Sequence, residues 1–343
     1  MRIGVLAYEG CLAAEIFVFT DLLRIANRVA RESGAATEDP FRVSVVAASA
    51  DPVAAAGGFP IGVGRWHHRL DRIVVPGFEL VPSDDLDTRL DARRRETAYL
   101  RAAADRDIPI ASVCVGAFLL GEAGLLDGRR CTTSWLFASR LARRYPGATV
   151  CGEAMAVTDG PITSTAAFSA ALDLATALVR EHLGDDVARA TARITLVAEN
   201  RTSQAPYIVE SMLPAARGPF GDEVAAWLVE HLAEPYDLGR LADVFHVSTR
   251  TLLRRFAAET GETPLDFLRR TRVRAARRLL ETTDLTLGRI VERVGYRDVG
   301  TFRRLFVDQV GLTPADYRRQ FHGENPRNGG DTATPPLGRP EPD

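Results

Sequence analysis

The chain of 343 residues contains no lysine, so all 43 of its basic side chains are arginines. A guanidinium can form two parallel hydrogen bonds to a guanine edge or a phosphate, which a lysine ammonium cannot. With 45 acidic residues the net charge is only −2, and the total therefore identifies no class of partner. Residues 238–321, however, hold 17 arginines and 10 acidic residues, a local charge of +7 against −9 elsewhere. This asymmetry predicts a polyanionic partner for one end of the chain, although a solvated arginine-rich face would give the same counts.

Cysteine is scarce, and Cys11, Cys114, Cys131 and Cys151 show no C-x-x-C spacing. A zinc site is therefore not indicated, and we predict no metal and no cofactor; the pair His67-His68 is expected to be a surface pair. Long apolar runs are also lacking, so no membrane span is predicted. The first ten residues have neither the basic segment nor the apolar run of a signal peptide. We expect a cytoplasmic protein with reduced thiols.

Residues 1–207 alternate β-rich runs with helical stretches. Strands are predicted over residues 2–7, 41–47, 72–75 and 108–113, with short strands or turns between 150 and 163, and helices over residues 13–29, 97–106, 116–123 and 166–182. This alternation is typical of a parallel sheet covered by helices on both faces. We therefore predict a doubly wound, flavodoxin-like α/β domain. A Pro- and Gly-rich linker over residues 208–221 and an all-α domain over residues 222–321 would follow it, and residues 322–343 would form a disordered tail.

The C-terminal part contains an internal repeat. Residues 238–241 (LGRL) match residues 287–290 (LGRI) at an offset of 49, whereas residues 251–256 (TLLRRF) match residues 301–306 (TFRRLF) at an offset of 50. The second copy thus has one extra residue in its turn. The match resumes where GETPLDF, starting at Gly261, corresponds to GLTPADY, starting at Gly311. Agreement at so many positions indicates a duplicated structural unit.

Each copy predicts a helix, a turn and a second helix. In the first copy His246 and Val247 fill the turn and Ser248 is a favourable N-cap, and in the second Gly295 provides the tight turn. A long helix over residues 264–280, starting at a proline, would hold the two units at a fixed separation. A generic helical bundle with an arginine-rich surface is the alternative, but it would not require the same turn and apolar anchors twice.

The second helix of each unit would present small residues and arginines near its N-terminus. Such a helix fits the major groove, where arginine can bridge guanine O6 and N7. The residues expected to face double-stranded operator DNA are Ser248, Thr249, Arg250, Leu253, Arg254, Val299, Gly300, Thr301, Arg303 and Arg304.

Residues 241–256 (LADVFHVSTRTLLRRF), 302–306 (FRRLF) and 311–318 (GLTPADYR) resemble the AraC/XylS family of transcription regulators. In that family two recognition helices enter successive segments of the major groove. The resemblance implies this role for the helices that carry Arg254 and Arg304. Leu253 and Val299 depart from the pattern, since they are apolar where polar side chains often read bases.

Cys114 follows the predicted strand 108–113 and precedes a helix, an arrangement that resembles a nucleophile elbow. The alternative is a small buried hydrophobe at a strand end. Gly77 and Phe78, which follow the strand 72–75, could offer backbone N–H groups beside Cys114. Glu15, near the start of the first helix, is either a partner for Cys114 or an ordinary first-turn carboxylate.

Residues 111–117 (ASVCVGA) and 121–128 (GEAGLLDG) are similar to the PfpI-type, class I glutamine amidotransferase-like superfamily, and especially to its GlxA-type regulator branch. In that branch this domain is fused to an AraC module. Enzymes of the family need a general base to form a thiolate. Many carry histidine directly after the cysteine, where this chain has Val115, and regulator relatives often have Thr-Thr-His-Trp, where this chain has TTSW ending at Trp135.

Because no matching histidine is present, we predict no catalytic residue and regard Cys114 and Glu15 as vestigial candidates. The resemblance implies a small-molecule effector, of unknown identity, and a homodimer formed through the N-terminal domain. The alternative function is a PfpI-type hydrolase or amidase with Cys114 as nucleophile. The residues expected to bind the effector are Glu15, Gly77, Phe78, Cys114, Val115, Ser134 and Trp135.

Overall fold

The computed structural model describes residues 1–48, 52–64, 70–199, 201–209, 212 and 218–322. The chain divides into two compact units, Met1–Pro214 and Ala215–Asp343. Among the described helices, none is both long and apolar enough to cross a membrane. His67 and His68 lie outside the described residues.

The first unit is built on a six-stranded sheet with the order β2-β1-β5-β6-β10-β9. The strands are, in chain order, β1 (Arg2–Leu6), β2 (Arg42–Val46), β3 (Val53–Ala54), β4 (Pro60–Ile61), β5 (Arg72–Val75), β6 (Ile110–Ser112), β7 (Arg130–Cys131), β8 (Thr149–Val150), β9 (Ala156–Asp159) and β10 (Ile162–Thr165). The four neighbouring pairs from β2 to β10 are parallel, but β9 is antiparallel to β10. Only Gly160 and Pro161 connect these two strands, and a connection this short permits only a hairpin.

Helices cover both faces of this sheet, as predicted. They are α1 (Ala13–Glu32), α2 (Leu86–Asp91), α3 (Arg94–Ala104), α4 (Ala117–Glu122), α5 (Ala138–Arg144), α6 (Ala170–Leu183) and α7 (Asp185–Ile194). Helices α1, α6 and α7 contact one another, and α4 contacts α2 and α3. The predicted doubly wound, flavodoxin-like fold is confirmed. Helix α6 begins later than the predicted residue 166, because the Ala166 N–H donates to the Met155 carbonyl (2.8 Å) and its carbonyl accepts from the Cys114 N–H (2.9 Å).

The second unit is entirely helical in its described part. Its helices are α8 (Pro219–Glu230), α9 (Leu238–Val244), α10 (Thr249–Thr260), α11 (Pro264–Thr282), α12 (Leu287–Arg293), α13 (Val299–Val310) and α14 (Pro314–Phe321). Helix α8 starts inside the predicted linker 208–221, and this part of the prediction is wrong. Pro219 suits the first turn of a helix, Phe220 is buried, and the Gly221 N–H donates to Glu259 Oε2 (2.7 Å).

Each copy of the repeat has its own apolar core. Leu241, Leu252 and Phe256 are fully buried with residues of α8 and the first part of α11. Ile290, Phe302 and Phe306 are fully buried with residues of α12, α14 and the later part of α11. Both copies therefore bury large apolar side chains at equivalent positions of the repeat, and α11 contributes one stretch of side chains to each core.

The loop before α9 meets the turn of the second copy at a contact that we call the junction, formed by Leu232, Ala233, Glu234, Arg272, Gly295 and Tyr296. The buried guanidinium of Arg272 donates to the carbonyls of Leu232 and Glu234 and lies 5.1 Å from the centre of the Tyr296 ring. Gly295 has φ +80°, and a Cβ at this position would lie 2.7 Å from the Ala233 carbonyl oxygen. The junction thus fixes the two copies against each other.

Candidate functional site

The turns of the two repeat copies are equivalent in geometry. His246 (φ +53°) and Gly295 (φ +80°) occupy the same left-handed position, 49 residues apart. Ser248 then caps α10 by accepting from the Thr251 N–H (3.2 Å), and Asp298 caps α13 by accepting from the Thr301 N–H (2.7 Å). Because the caps are 50 residues apart, the extra residue of the second copy lies between the turn and the cap, as the repeat predicts.

The residues predicted to face DNA lie on the exposed sides of α10 and α13. Even the two apolar members are accessible, since Leu253 is 36% and Val299 40% exposed. Thr301 is exposed although its N–H is used by the cap. The exposed residues are Ser248, Thr249, Arg250, Leu253, Arg254, Val299, Gly300, Thr301, Arg303 and Arg304.

The arginines on these exposed sides differ in their contacts from arginines elsewhere in the helical unit. Arg240 pairs with Glu234, and Arg270 pairs with Glu262. Arg250 and Arg254, by contrast, form no ion pair with the described residues, and Arg304 donates to its helical neighbour Thr301 Oγ1 (3.2 Å). Guanidinium groups that are not neutralised by carboxylates remain able to bind phosphates or base edges.

Cys114 has the backbone conformation of an elbow. Its φ is +54°, a left-handed value that costs a non-glycine residue about 1–3 kcal/mol. The Cys114 N–H donates to the Ala166 carbonyl (2.9 Å), and its carbonyl accepts from Thr133 Oγ1 (2.7 Å). Gly116 permits the close approach of β5, because a Cβ there would lie 2.7 Å from the carbonyl oxygens of Val75 and Pro76.

Glu15, Gly77 and Cys114 come together beneath this elbow. A Cβ built on Gly77 would lie 3.2 Å from the Cys114 Cβ and 3.4 Å from both carboxylate oxygens of Glu15. The Gly77 N–H, expected to face Cys114, instead donates to Glu15 Oε2 (2.6 Å). Glu15 Oε1 is buried with no hydrogen-bond partner among the described residues. Burial raises the pKa of Glu15 to about 7, although the Gly77 N–H opposes this shift.

The Cys114 thiol is buried too. Its burial and the nearby charge of Glu15 raise the pKa of Cys114 to about 12, although the backbone N–H groups of Val115 and Phe168 lower it. A cysteine acts as a nucleophile in its thiolate form. At neutral pH this side chain is therefore a protonated thiol.

The raised pKa of Glu15 makes a testable contribution to stability. An ordinary glutamate has a pKa of 4.5, whereas folded Glu15 has about 7, so ionisation destabilises the fold as the pH rises through this window. Glu15→Gln is expected to raise the free energy of unfolding of the first unit by about 3 kcal/mol near pH 8 and to change it little near pH 4.5. Urea unfolding at both pH values, monitored by hydrogen exchange in α1, measures the difference. An equal increment at both would contradict a buried, titrating carboxyl.

The other residues predicted to bind an effector lie in different surroundings. Phe78 and Val115 are fully buried, and the guanidinium of Arg93 lies 4.4 Å from the centre of the Phe78 ring. Ser134 is buried, and the Trp135 N–H donates to Gln204 Oε1 (3.0 Å). The structure thus brings together Glu15, Gly77 and Cys114. It places Trp135 in a wall that also includes Ala166, whose carbonyl accepts from the Cys114 N–H.

That wall belongs to a cavity of about 250 Å³. Of the predicted residues only Trp135 lines it, and sequence reasoning missed the others. They come from separate loops, and none stands in a motif that marks a site. The main lining side chains are Trp135, Met155, Phe168, Arg201, Gln204 and Tyr207.

Comparison with known families agrees with both parts of the fold. The DJ-1/PfpI family matches residues 2–181, and a helix-turn-helix domain matches residues 241–320. A crystal structure of an AraC family transcriptional regulator from Pseudomonas putida is similar to 57% of the chain and 98% of its own, with 24% identity and a TM-score of 0.46.

Two curated proteins are similar over nearly the whole chain. The HTH-type transcriptional regulator GlxA of Rhizobium meliloti is 29% identical over 331 residues, covering 93% of this chain and 96% of that protein. The HTH-type transcriptional regulator CdhR of Pseudomonas aeruginosa is 26% identical over 322 residues, covering 92% and 89%. The resemblance predicted from sequence is confirmed: the chain belongs to the DJ-1/PfpI family and carries an AraC-type helix-turn-helix domain.

Proposed function

We propose that the chain is a sequence-specific DNA-binding transcription regulator that reads its operator with α10 and α13. The duplicated, capped helix-turn-helix unit carries this proposal, because each copy exposes arginines at the start of its second helix. The similar proteins that span the chain are HTH-type transcriptional regulators, which supports this function over the hydrolase.

Each exposed side has a specific proposed role. Arg254 and Arg304 bridge guanine O6 and N7, the commonest specific contact in the major groove. Leu253 and Val299 contact thymine methyl groups. The remaining residues of each side bind phosphates or sugars and so fix the position of the helix on the duplex. The proposed positioning residues are Ser248, Thr249, Arg250, Gly300, Thr301 and Arg303.

The operator should contain two short motifs about 10 bp apart for each subunit, because α11 and the junction hold both reading helices over one face of the duplex. Footprinting of the full-length chain on genomic fragments would locate these motifs. Five base pairs inserted between them turn one motif to the opposite face and should abolish binding. The same insertion outside the two motifs is the control. Tolerance of the inner insertion would mean that one unit is structural and does not read DNA.

The first unit is the proposed sensor. We assign a small-molecule effector and the homodimer contact to residues 1–207, and DNA binding to the helices from Pro219 to Phe321. A homodimer would place two copies of the two-motif element in one operator. We place this regulator in the cytoplasm, where it would have access to its operator DNA.

A cysteine hydrolase is the rival function, and the elbow conformation of Cys114 is the observation in its favour. Against it stand the buried thiol and its raised pKa. Cys114→Ala is therefore expected to leave operator affinity unchanged and to remove no turnover of amide or ester substrates. Turnover by the unmodified chain that disappears in this variant would establish the hydrolase instead.

A further inference from the structure

The cavity of about 250 Å³ in the first unit has mainly apolar walls. Trp135, Phe168 and Tyr207 supply aromatic rings, and the buried Met155 supplies a thioether. Phe168 is 46% exposed although it is a large apolar side chain. Cavities with such walls bind ligands through apolar and aromatic contacts.

The polar side chains in these walls already have partners. Arg201 forms an ion pair with Asp173 and donates to Ser169 Oγ (3.1 Å). Gln204 Nε2 donates to the carbonyls of Thr133 and Gly152, both at 2.8 Å, and its Oε1 accepts from the Trp135 N–H. A charged ligand would lose its hydration here without gaining a free counter-charge from the described lining residues, so these walls favour an uncharged one.

The volume limits the size of that ligand. A cavity of about 150 Å³ is large enough for benzene. A cavity of about 250 Å³ accommodates a substituted ring or a fused pair of rings. Faces of Trp, Tyr and Phe prefer offset or edge contacts with another aromatic ring, which adds to the stabilisation from apolar burial.

Arg201, Gln204 and Tyr207 of the lining belong to residues 201–209, the last described stretch of the first unit before the connection to the helices. Backbone hydrogen bonds hold this segment: the Met155 N–H donates to the Thr202 carbonyl (3.1 Å), and the Gln204 N–H donates to the Glu153 carbonyl (2.8 Å). A ligand that contacts Tyr207 binds only when the segment is in this position, and binding therefore stabilises that position.

The geometry points to this cavity as a binding site for a neutral aromatic molecule of one or two rings, whose binding orders the segment leading to the DNA-binding helices. The regulatory half of this inference rests on the proposed function. The ligand class rests on the walls alone.

Indole is a suitable probe, with indole-3-acetate and tryptamine as charged molecules that carry the same ring. Titration calorimetry of the full-length chain should give one indole site per chain and at least about tenfold weaker binding of both charged molecules. Phe168→Ala should weaken indole binding about tenfold, the loss expected for one aromatic contact with its buried area. Phe17→Ala is the matched control, because Phe17 is also an exposed phenylalanine (50%) of the same unit but lies on α1. It should leave indole binding unchanged.

Absence of indole binding, equal binding of the charged molecules, or an unaffected Phe168→Ala variant would each overturn the ligand class. Operator affinity, measured with and without indole, decides the regulatory half. A change in operator affinity on adding indole that is lost in Phe168→Ala supports the regulatory half. If indole binds but operator affinity does not change, the regulatory half is overturned and the ligand class stands. A chain that binds no DNA at all refutes the proposed function, while the calorimetry still decides the cavity.

Discussion

Replacing Arg254 and Arg304 together by alanine is expected to weaken sequence-specific operator binding strongly while leaving the chain folded. Each substitution removes one proposed bidentate base contact, worth about 1–3 kcal/mol. The two side chains lie on different helices with separate cores, so their effects should add. The double variant should therefore bind its operator about thirtyfold to twenty-thousandfold more weakly. Fluorescence anisotropy with the footprinted operator and with scrambled DNA measures the specific part of this loss.

The matched control is Arg28→Ala with Arg189→Ala. This variant removes two arginines from exposed positions of the first unit, where each pairs with a neighbour on its own helix. Its net charge equals that of the test variant, so a difference between the two variants reflects the loss of arginines on α10 and α13 and not the change in total charge. If either single variant, Arg254→Ala or Arg304→Ala, bound the operator normally, its helix would be wrongly assigned to base reading.

Gly295→Ala is expected to destabilise the second repeat copy by about 2–5 kcal/mol, because two costs combine. A left-handed φ of +80° strains an alanine, and its Cβ would lie within 2.8 Å of three backbone atoms of Ala233. Amide hydrogen exchange over residues 287–321 should show the loss directly, and operator binding should fall with it.

Gly288→Ala is the control for this variant. Gly288 lies in α12, and a Cβ there would meet no atom within 4 Å, so alanine should be neutral or slightly stabilising. The equivalent turn residue of the first copy offers the reverse test: His246→Gly should relieve the strain of a φ of +53°. Equal exchange in the Gly295→Ala and Gly288→Ala variants would show that the junction does not hold the turn.

The helical unit was the more predictable half of the chain. Its repeat contains equivalent buried residues, N-caps and turns in both copies, so the helix boundaries predicted for one copy could be checked against those of the other. Local signals such as Ser248 before α10 and Gly295 in the turn have direct geometric consequences. The start of α8 was missed because Pro219 and Gly221 also indicate a loop; the burial of Phe220, which decides between the two, is a tertiary effect.

The candidate site of the first unit was less predictable. The sequence predicts an elbow at Cys114, and the structure gives this residue a left-handed backbone. The sequence does not reveal that the Gly77 N–H donates to Glu15, nor that the guanidinium of Arg93 lies over the Phe78 ring. The cavity was missed for the same reason: Trp135, Phe168 and Tyr207 are brought together by three separate loops, and no spacing along the chain records their proximity.

The junction has a consequence for how quickly and how tightly the two proposed reading helices would bind DNA. Arg272 and Gly295 hold the second copy against the loop before α9. If α10 and α13 read DNA as proposed, docking of α10 would therefore position α13 over the next groove segment. The second contact is then an intramolecular event with a high effective concentration, instead of a search by a tethered domain. Two modest base-reading surfaces can thereby act as one strong one, and either alone would dissociate rapidly.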